Sequence, residues 1–304
     1  MKVLVTGSSG LVGSALVPFL AADGHSVTRM IRGTGCSAAG QALWEPAAGR
    51  IDATAIEGFD AAVHLSGANV SGARWTPKQK QKLLDSRINS TRLLATALAN
   101  LARPPRVLVA ASAVGYYGDR GDEPLTEDST PGSGFPTEMC LEWEKAAEVA
   151  AGRGIRVVNL RIGMVLASAG AALRQMLPPF KLGLGGPLGS GRQYVSWIEL
   201  DDLAGVIRHT LLAEPLRGPV NAVAPNPVTN REFTKALGGV LGRPTPFRVP
   251  RFVLRLAFGE ITDALLLASA RVYPTRLEAS GYAFRYPELQ DALRHALGRT
   301  PRAS

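Results

Sequence analysis

Val3-Leu4-Val5-Thr6-Gly7-Ser8-Ser9-Gly10-Leu11-Val12-Gly13 decides the reading of this chain. The run from Lys2 to Thr6 reads as a buried strand. Leu11 to Ala22 follows as a helix, because Leu11, Val12, Ala15, Leu16, Phe19 and Leu20 recur with a 3.6-residue period. Between them stands Gly-x-x-Gly-x-x-Gly. Gly7 permits the tight turn, Gly10 lets a pyrophosphate approach the backbone, and Gly13 lets the helix lie close to the strand. The free N–H groups and partial positive charge at the helix N-terminus then face the phosphates. A glycine triplet alone is weak, but strand before and helix after is the context the motif demands. Gly7, Ser9, Gly10, Leu11, Val12 and Gly13 are therefore the first expected contacts of a dinucleotide.

The next strand, Ser26 to Ile31, bears on which dinucleotide. An acid at its end would bind the adenosine ribose hydroxyls and favour NAD. The sequence Val27-Thr28-Arg29-Met30-Ile31-Arg32-Gly33 has none. Arg32 can instead meet a 2′-phosphate with a charge-assisted hydrogen bond, so NADP(H) is expected in preference to NAD(H). The plain alternative is that Arg32 is solvated surface.

Further along, apolar runs at Ala61 to Ser66, Arg106 to Ser112 and Arg156 to Ile162 alternate with helical stretches. Pro77 to Leu101 is a long helix with Thr76 as N-cap and Pro77 in its first turn, and Thr137 to Gly152 is another. Such alternation argues for βαβ units on a parallel sheet. Beyond residue 165 the pattern changes. Pro178-Pro179 and the glycines from Gly183 to Gly191 read as loops. Tyr194 to Ile198 reads as a short strand, Asp201 to Leu212 as a helix and Val220 to Val223 as a strand. Thr229 to Leu241 is a helix with Asn230 a candidate cap, and Pro250 to Leu297 is mostly helical with a turn near Gly281. The expected fold is α/β: a Rossmann doubly wound parallel sheet with a smaller C-terminal substrate-binding part. Residues 1–165 form the NAD(P)-binding domain, parts of 190–225 complete its sheet, and 166–304 supply mainly the substrate pocket and C-terminal helices.

The 304 residues and 46% hydrophobic content are enough for a packed core. Two cysteines, Cys36 and Cys140, cannot build a disulfide framework and fit a reducing cytoplasm. No charged-then-apolar leader opens the chain and no apolar run is long enough to cross a bilayer, so a cytoplasmic protein with no membrane partner is expected. The formal net charge of +9 is scattered, with much of the excess as arginine in the last third. That fits a basic surface or a pocket for anions rather than nucleic acid. The four histidines show no metal-ligand spacing, and no metal is expected.

Three blocks carry a closer resemblance. The first is Val63-His64-Leu65-Ser66-Gly67-Ala68-Asn69 with Arg74-Trp75-Thr76, Lys80 and Ser86-Arg87-Ile88. The second is Ser112-Ala113-Val114-Gly115-Tyr116-Tyr117-Gly118 with Glu127-Asp128 and Trp143-Glu144. The third runs from Pro274-Thr275-Arg276-Leu277 to Gly281-Tyr282-Ala283-Phe284-Arg285-Tyr286-Pro287. Together they resemble the atypical "epimerase family" within the extended short-chain dehydrogenase/reductases, including its C-terminal domain of unknown function. The resemblance covers nearly the whole chain. It implies a seven-stranded parallel sheet and a smaller part that shapes a substrate pocket. It also implies that Leu65, Ser66 and Gly67 lie along the dinucleotide, that Ile31 and Arg32 flank its adenosine end, and that Arg87 points to the cofactor side. Arg87 could equally be a structural ion pair.

In that family the usual catalytic set is a Ser or Thr, a Tyr, and a Lys one helical turn after the Tyr. Ser112 stands at the end of its strand where the hydroxyl belongs. By register, however, Cys140 occupies the Tyr position and Glu144 the Lys position. Neither substitutes directly, because Glu144 opposes thiolate formation. Tyr116 or Tyr117 as general acid, or Glu138, Glu142 or Glu144 as base, are the conceivable replacements; Ser112 and Tyr116 are the catalytic candidates, and the tyrosines could equally be packing residues. Arg161, Arg192, Tyr194 and Trp197 are read as facing the cleft, with Arg161 also a cofactor candidate, and suit an anionic, ring-bearing substrate such as a nucleotide-linked sugar. Two functions remain open: an NADP(H)-dependent oxidoreductase or epimerase-like enzyme on an anionic small molecule, and a non-catalytic NADP(H)-binding sensor or regulatory protein. A homodimer through Pro77 to Leu101 and Thr137 to Gly152 is compatible with either.

Overall fold

The structure is a computed structural model that describes residues 1–35 and 38–299; Cys36 lies outside the described residues. Strand β1 (Lys2–Thr6) is buried on both faces from Val3 to Thr6, which is why it reads as an unbroken apolar run. Around it lie β2 (Ser26–Arg32), β3 (Gln41–Glu45), β4 (Arg50–Ile51), β5 (Ala61–His64), β6 (Val107–Ala113), β7 (Arg156–Ile162) and β8 (Gly218–Ala222). The spatial order is β8-β7-β6-β5-β1-β2-β3-β4. Seven strands run parallel, as the resemblance implied, and the short β4 adds an antiparallel edge on β3.

The chain leaves β1 in one direction for β2 and β3, then returns to β5 on the other side. The crevice between the C-terminal ends of β1 and β5 is therefore the topological switch point, where ligands of open α/β sheets bind. Two side chains pin it. His64 Nδ1 lies 2.7 Å from the Thr6 hydroxyl, and the same oxygen accepts the Leu65 N–H at 3.2 Å. His64 is fully buried, and desolvation pushes its pKa down to about 4; it is a neutral strut.

One face of the sheet packs on α1 (Leu11–Ala22) and α5 (Leu200–Leu212), the other on α2 (Pro77–Ala99) and α3 (Phe135–Ala147). Thr76 caps α2 by accepting the Gln79 N–H, as its sequence predicts. A third cluster, with Leu173, Phe180, Trp197, Phe233 and Leu293, is built by α4 (Ala171–Lys181), α6 (Asn230–Leu241) and α9 (Leu289–Ala296).

Several local expectations need correction. β3 was not anticipated, although Ala42 and Trp44 alternate inward from it. Pro178 and Pro179 lie inside α4 rather than in a loop, because Leu173 and Phe180 bury its face in the third cluster. Thr229, not Asn230, caps α6, through a capping box with Glu232; the Asn230 side chain accepts the Leu188 N–H instead. The C-terminal stretch is less helical than expected. It holds α7 (Arg251–Phe258), a π-turn over Thr262–Leu266, a strand at Arg271–Val272, α8 (Thr275–Ala279) and α9.

Candidate functional site

The turn from β1 into α1 admits only glycine at two of its three positions. Gly7 has a left-handed φ of 66°, and a Cβ there would stand 2.7 Å from the Leu65 carbonyl group. A Cβ on Gly13 would come within 2.3 Å of the Gly7 oxygen and 2.6 Å of the Ser8 Cα, so α1 presses directly on the turn. Gly10 is the extended N-cap residue and offers no side chain to the first turn. The leading N–H groups of α1, at Ser9, Gly10, Leu11 and Val12, have no side-chain cap, and the turn before them packs at Gly7 against Leu65 and Ser66 across the crevice. This is the donor set a pyrophosphate requires, so the residues fit the dinucleotide expected from the sequence. Ile31 and Arg32 end β2 on the same rim, and the Arg32 side chain is exposed.

The loop after β5 is held by α2. Ser86 Oγ accepts the Ala68 N–H at 3.1 Å, and Arg87 donates to the Ala68 carbonyl at 2.9 Å and the Leu83 carbonyl at 3.2 Å. The Arg87 guanidinium lies under Gly67 and 5.0 Å from the Trp143 ring centre. Arg87 is 7% exposed, its Nε has no partner, and burial lowers its pKa from the ordinary arginine value. The ion pair considered for it is absent among the described residues: its partners are carbonyl groups. A desolvated guanidinium without a carboxylate is costly, and an anion at the crevice would offset that cost.

On the other side of the crevice Ser112, at the end of β6, donates to Glu144 on α3 at 2.6 Å. Glu144 also accepts two bonds from Arg161 on β7, each 2.9 Å. Burial alone would lower the pKa of Arg161; the hydrogen bonds and charge of Glu144 and the Tyr117 hydroxyl reverse this and raise it. Arg161 is 3% exposed, and its guanidinium lies 3.4 Å from the Tyr116 ring centre. Its guanidinium is engaged in a cross-element pair with Glu144.

Cys140 is buried beside Ser112 and Glu144, bonded to the Ala113 carbonyl, and burial with the Glu144 charge pushes its thiol up to about 12. It is no nucleophile at neutral pH. Tyr117 is fully buried between Arg161 and Asn221, and burial pushes its pKa to about 12. That removes it as a general acid. Glu138 and Glu142 are exposed on the far side of α3 and cannot serve as the base. Tyr116 remains, half-buried in the turn after Ser112.

The grouping of Arg161, Arg192, Tyr194 and Trp197 is not formed. Trp197 is a core residue that donates to the Asn226 carbonyl, Arg192 is exposed, and Tyr194 lies under Arg271. The structure shows instead a cleft of about 640 Å³ that the sequence reading missed. It is lined by Ser190, Gln193, Arg248, Arg251, Asp119 and Asp263, among others. None of the dinucleotide-loop residues lines it; Asp119, three residues beyond Tyr116 in sequence, does. Glu199, Asp201 and His295 approach one another closely enough to be considered as metal ligands. They are already joined as a bridge, with His295 3.1 Å from Glu199 and 3.6 Å from Asp201.

Residues 3–222, which span the glycine turn, the sheet and the Ser112 strand, match the NAD dependent epimerase/dehydratase family. The chain belongs to that family. Residues 249–296 match a domain of unknown function, DUF1731. Among relatives in this epimerase family, the "epimerase family protein" Mb2239 of Mycobacterium bovis is 43% identical over 297 residues, 98% of each chain. The crystal structure of human epimerase family protein SDR39U1 (isoform 2) with NADPH superposes with a TM-score of 0.90 at 38% identity, covering 99% of this chain and 100% of that one. A UDP-N-acetylglucosamine 4-epimerase from Bacillus cereus has a TM-score of 0.73 at 18% identity and covers 98% and 99%; this shares the fold.

Proposed function

We infer that this epimerase-family chain is an NADP(H)-preferring oxidoreductase or epimerase-like enzyme that acts on an anionic small molecule, with nucleotide-linked sugars as the leading substrate class. One set of observations carries the reading: the α1 N-terminus at the glycine turn is uncapped, a buried, carboxylate-free Arg87 lies against Gly67 of the loop after β5, and Arg32 stands exposed at the end of β2. All three favour phosphate, and Arg32 in particular favours the 2′-phosphate. The NADPH found with human SDR39U1 agrees with that preference. A bound nicotinamide would supply hydride transfer. Within the chain, the Ser112 oxygen can accept a hydrogen bond from a substrate hydroxyl, because its own proton is directed to Glu144. Tyr116 is the residue positioned to move a proton, half-buried in the turn after Ser112 with the Arg161 guanidinium stacked on its ring. Arg248 at the cleft suits the anionic part of the substrate, beside Arg251 in its pair with Asp263.

A specific observation favours a second reading, that of a non-catalytic NADP(H) sensor. Helix α3 carries no Tyr–Lys pair, and Glu144 and Arg161 close on each other rather than on a reacting group. A screen of carbonyl compounds and sugar nucleotides, followed at the nicotinamide absorbance band and by product analysis, separates the two. Turnover of any of them supports the enzyme. Tight NADPH binding with no turnover supports the sensor.

A further inference from the structure

Exposed large apolar side chains are concentrated in one place on this molecule. Leu182 and Leu184 follow α4, and Phe247, Phe252, Val253 and Leu256 lie on and before α7, with Leu256 80% and Phe252 72% exposed. The two segments are neighbours: Val249 exchanges backbone hydrogen bonds with Pro187 and Gly189, and Gly183 lies against Pro244. Helix α7 buries only Leu254. It is fastened by charge, through Arg251 and Arg255 to Asp263 and through Arg74 to the Leu256 carbonyl. Such a helix does not form to fill the core, since its apolar face points outward.

The charge around this face is mainly positive, the nearby carboxylates being Asp263, paired with Arg251 and Arg255, and Glu260, paired with Lys80. Between residues 181 and 192 and between 243 and 259 stand Lys181, Arg192, Arg243, Arg248, Arg251 and Arg255, with no Asp or Glu. A second copy docking here would bring these cations against their equivalents. An anionic bilayer offers both things the face lacks, a shallow apolar layer and a negative surface. We propose that the α7 face, with the 182–184 loop, docks peripherally on anionic membrane lipid, laying Phe252 and Leu256 into the interface while the arginines meet headgroups. This revises the expectation of no membrane partner. Hydropathy speaks to spanning segments, and no described helix is long and apolar enough to span. The proposal does not depend on which dinucleotide the crevice takes. It places the Arg248–Arg251 wall of the cleft at the lipid surface.

The test uses the full-length protein and flotation with vesicles of phosphatidylcholine alone or mixed with phosphatidylglycerol. Binding to the mixed vesicles, weak binding to the neutral ones, and release at high salt are expected. The double variant F252E/L256E, which changes only exposed positions, is expected to bind mixed vesicles roughly tenfold more weakly or worse, with NADPH affinity unchanged as the check on folding. K181E/R243E should weaken binding to the mixed vesicles as well. The proposal is overturned by absence of vesicle binding, by equal and salt-insensitive binding to neutral vesicles, or by binding that survives F252E/L256E. It is also overturned if the wild type is a dimer that F252E/L256E dissociates, since a second copy would then cover the face.

Discussion

Replacing Glu144 with Gln removes one negative charge and little volume, and it isolates what the buried pair contributes. Glu144 receives two guanidinium bonds at 2.9 Å and the Ser112 hydroxyl at 2.6 Å. The side chains of Arg161 and Glu144 are only 4% and 13% exposed. Breaking a buried pair from one side leaves an uncompensated charge and costs about 3–5 kcal/mol. For a chain of 304 residues the unfolding entropy near the midpoint is about 0.6 kcal/mol per kelvin, so Tm should fall by about 5–8 °C, the lower end applying because Gln keeps one oxygen acceptor. Removing both partners in Glu144→Gln/Arg161→Met should cost less than the sum of the single changes. Thermal unfolding followed by circular dichroism, with urea titration as a second measure, reads both effects. A Tm for Glu144→Gln within about 1 °C of wild type, or strictly additive singles, would refute the claim that this network is a coupled, charge-balanced unit.

Three further outcomes follow from the same geometry. Gly13→Ala places a methyl 2.3 Å from the Gly7 oxygen; it should abolish measurable dinucleotide binding and cost about 1–3 kcal/mol in urea unfolding, and a variant with normal NADPH affinity would show that α1 does not rest on the turn as described. His64, held down to about 4 in the fold, stays neutral where the unfolded chain, with an ordinary pKa of about 6.5, takes up a proton. Its contribution is therefore complete above about pH 6.5 and is lost as pH falls toward 4, by about 3 kcal/mol; an imidazole NMR signal that titrates near 6.5 in the native protein would contradict this. Tyr116→Phe keeps the ring against Arg161 and removes only the hydroxyl. If the enzyme reading holds, turnover should drop by about 10²-fold or more with Tm unchanged, whereas unchanged turnover rules out the acid role.

The β1–turn–α1 unit was legible because every determinant lies within about twenty residues: an apolar run, three glycines and a 3.6-residue repeat. Helix α2 was legible for the same reason, with Thr76 and Pro77 marking its start. Errors occurred where distant packing overrules local preference. Pro178 and Pro179 read as breakers, yet Phe180 anchors the helix that contains them. The strand Gln41–Glu45 shows only two inward positions, too few for a periodic pattern to register. The Thr229–Glu232 capping box stands in the sequence beside Asn230, whose side chain accepts the Leu188 N–H instead.

The site divides in the same way. Residues of the glycine turn could be named because backbone geometry dictates them. The partners of Arg161 could not, since Glu144 lies 17 residues away on another element and the pairing depends on the β7–α3 contact. Nor could the cleft wall at Arg248 and Arg251, because its far side is formed by Asp119 and Gln193 from distant parts of the chain.

The central claim is that the crevice takes NADP(H) and that Arg32 reads the 2′-phosphate. Titrating wild type and Arg32→Ala with NADPH and NADH in parallel, by nicotinamide fluorescence, tests it most directly. The account predicts that wild type binds NADPH more tightly than NADH, and that Arg32→Ala narrows the ratio by roughly tenfold or more while leaving NADH affinity intact. Equal affinity of wild type for the two dinucleotides, or a preference that Arg32→Ala does not change, would contradict it.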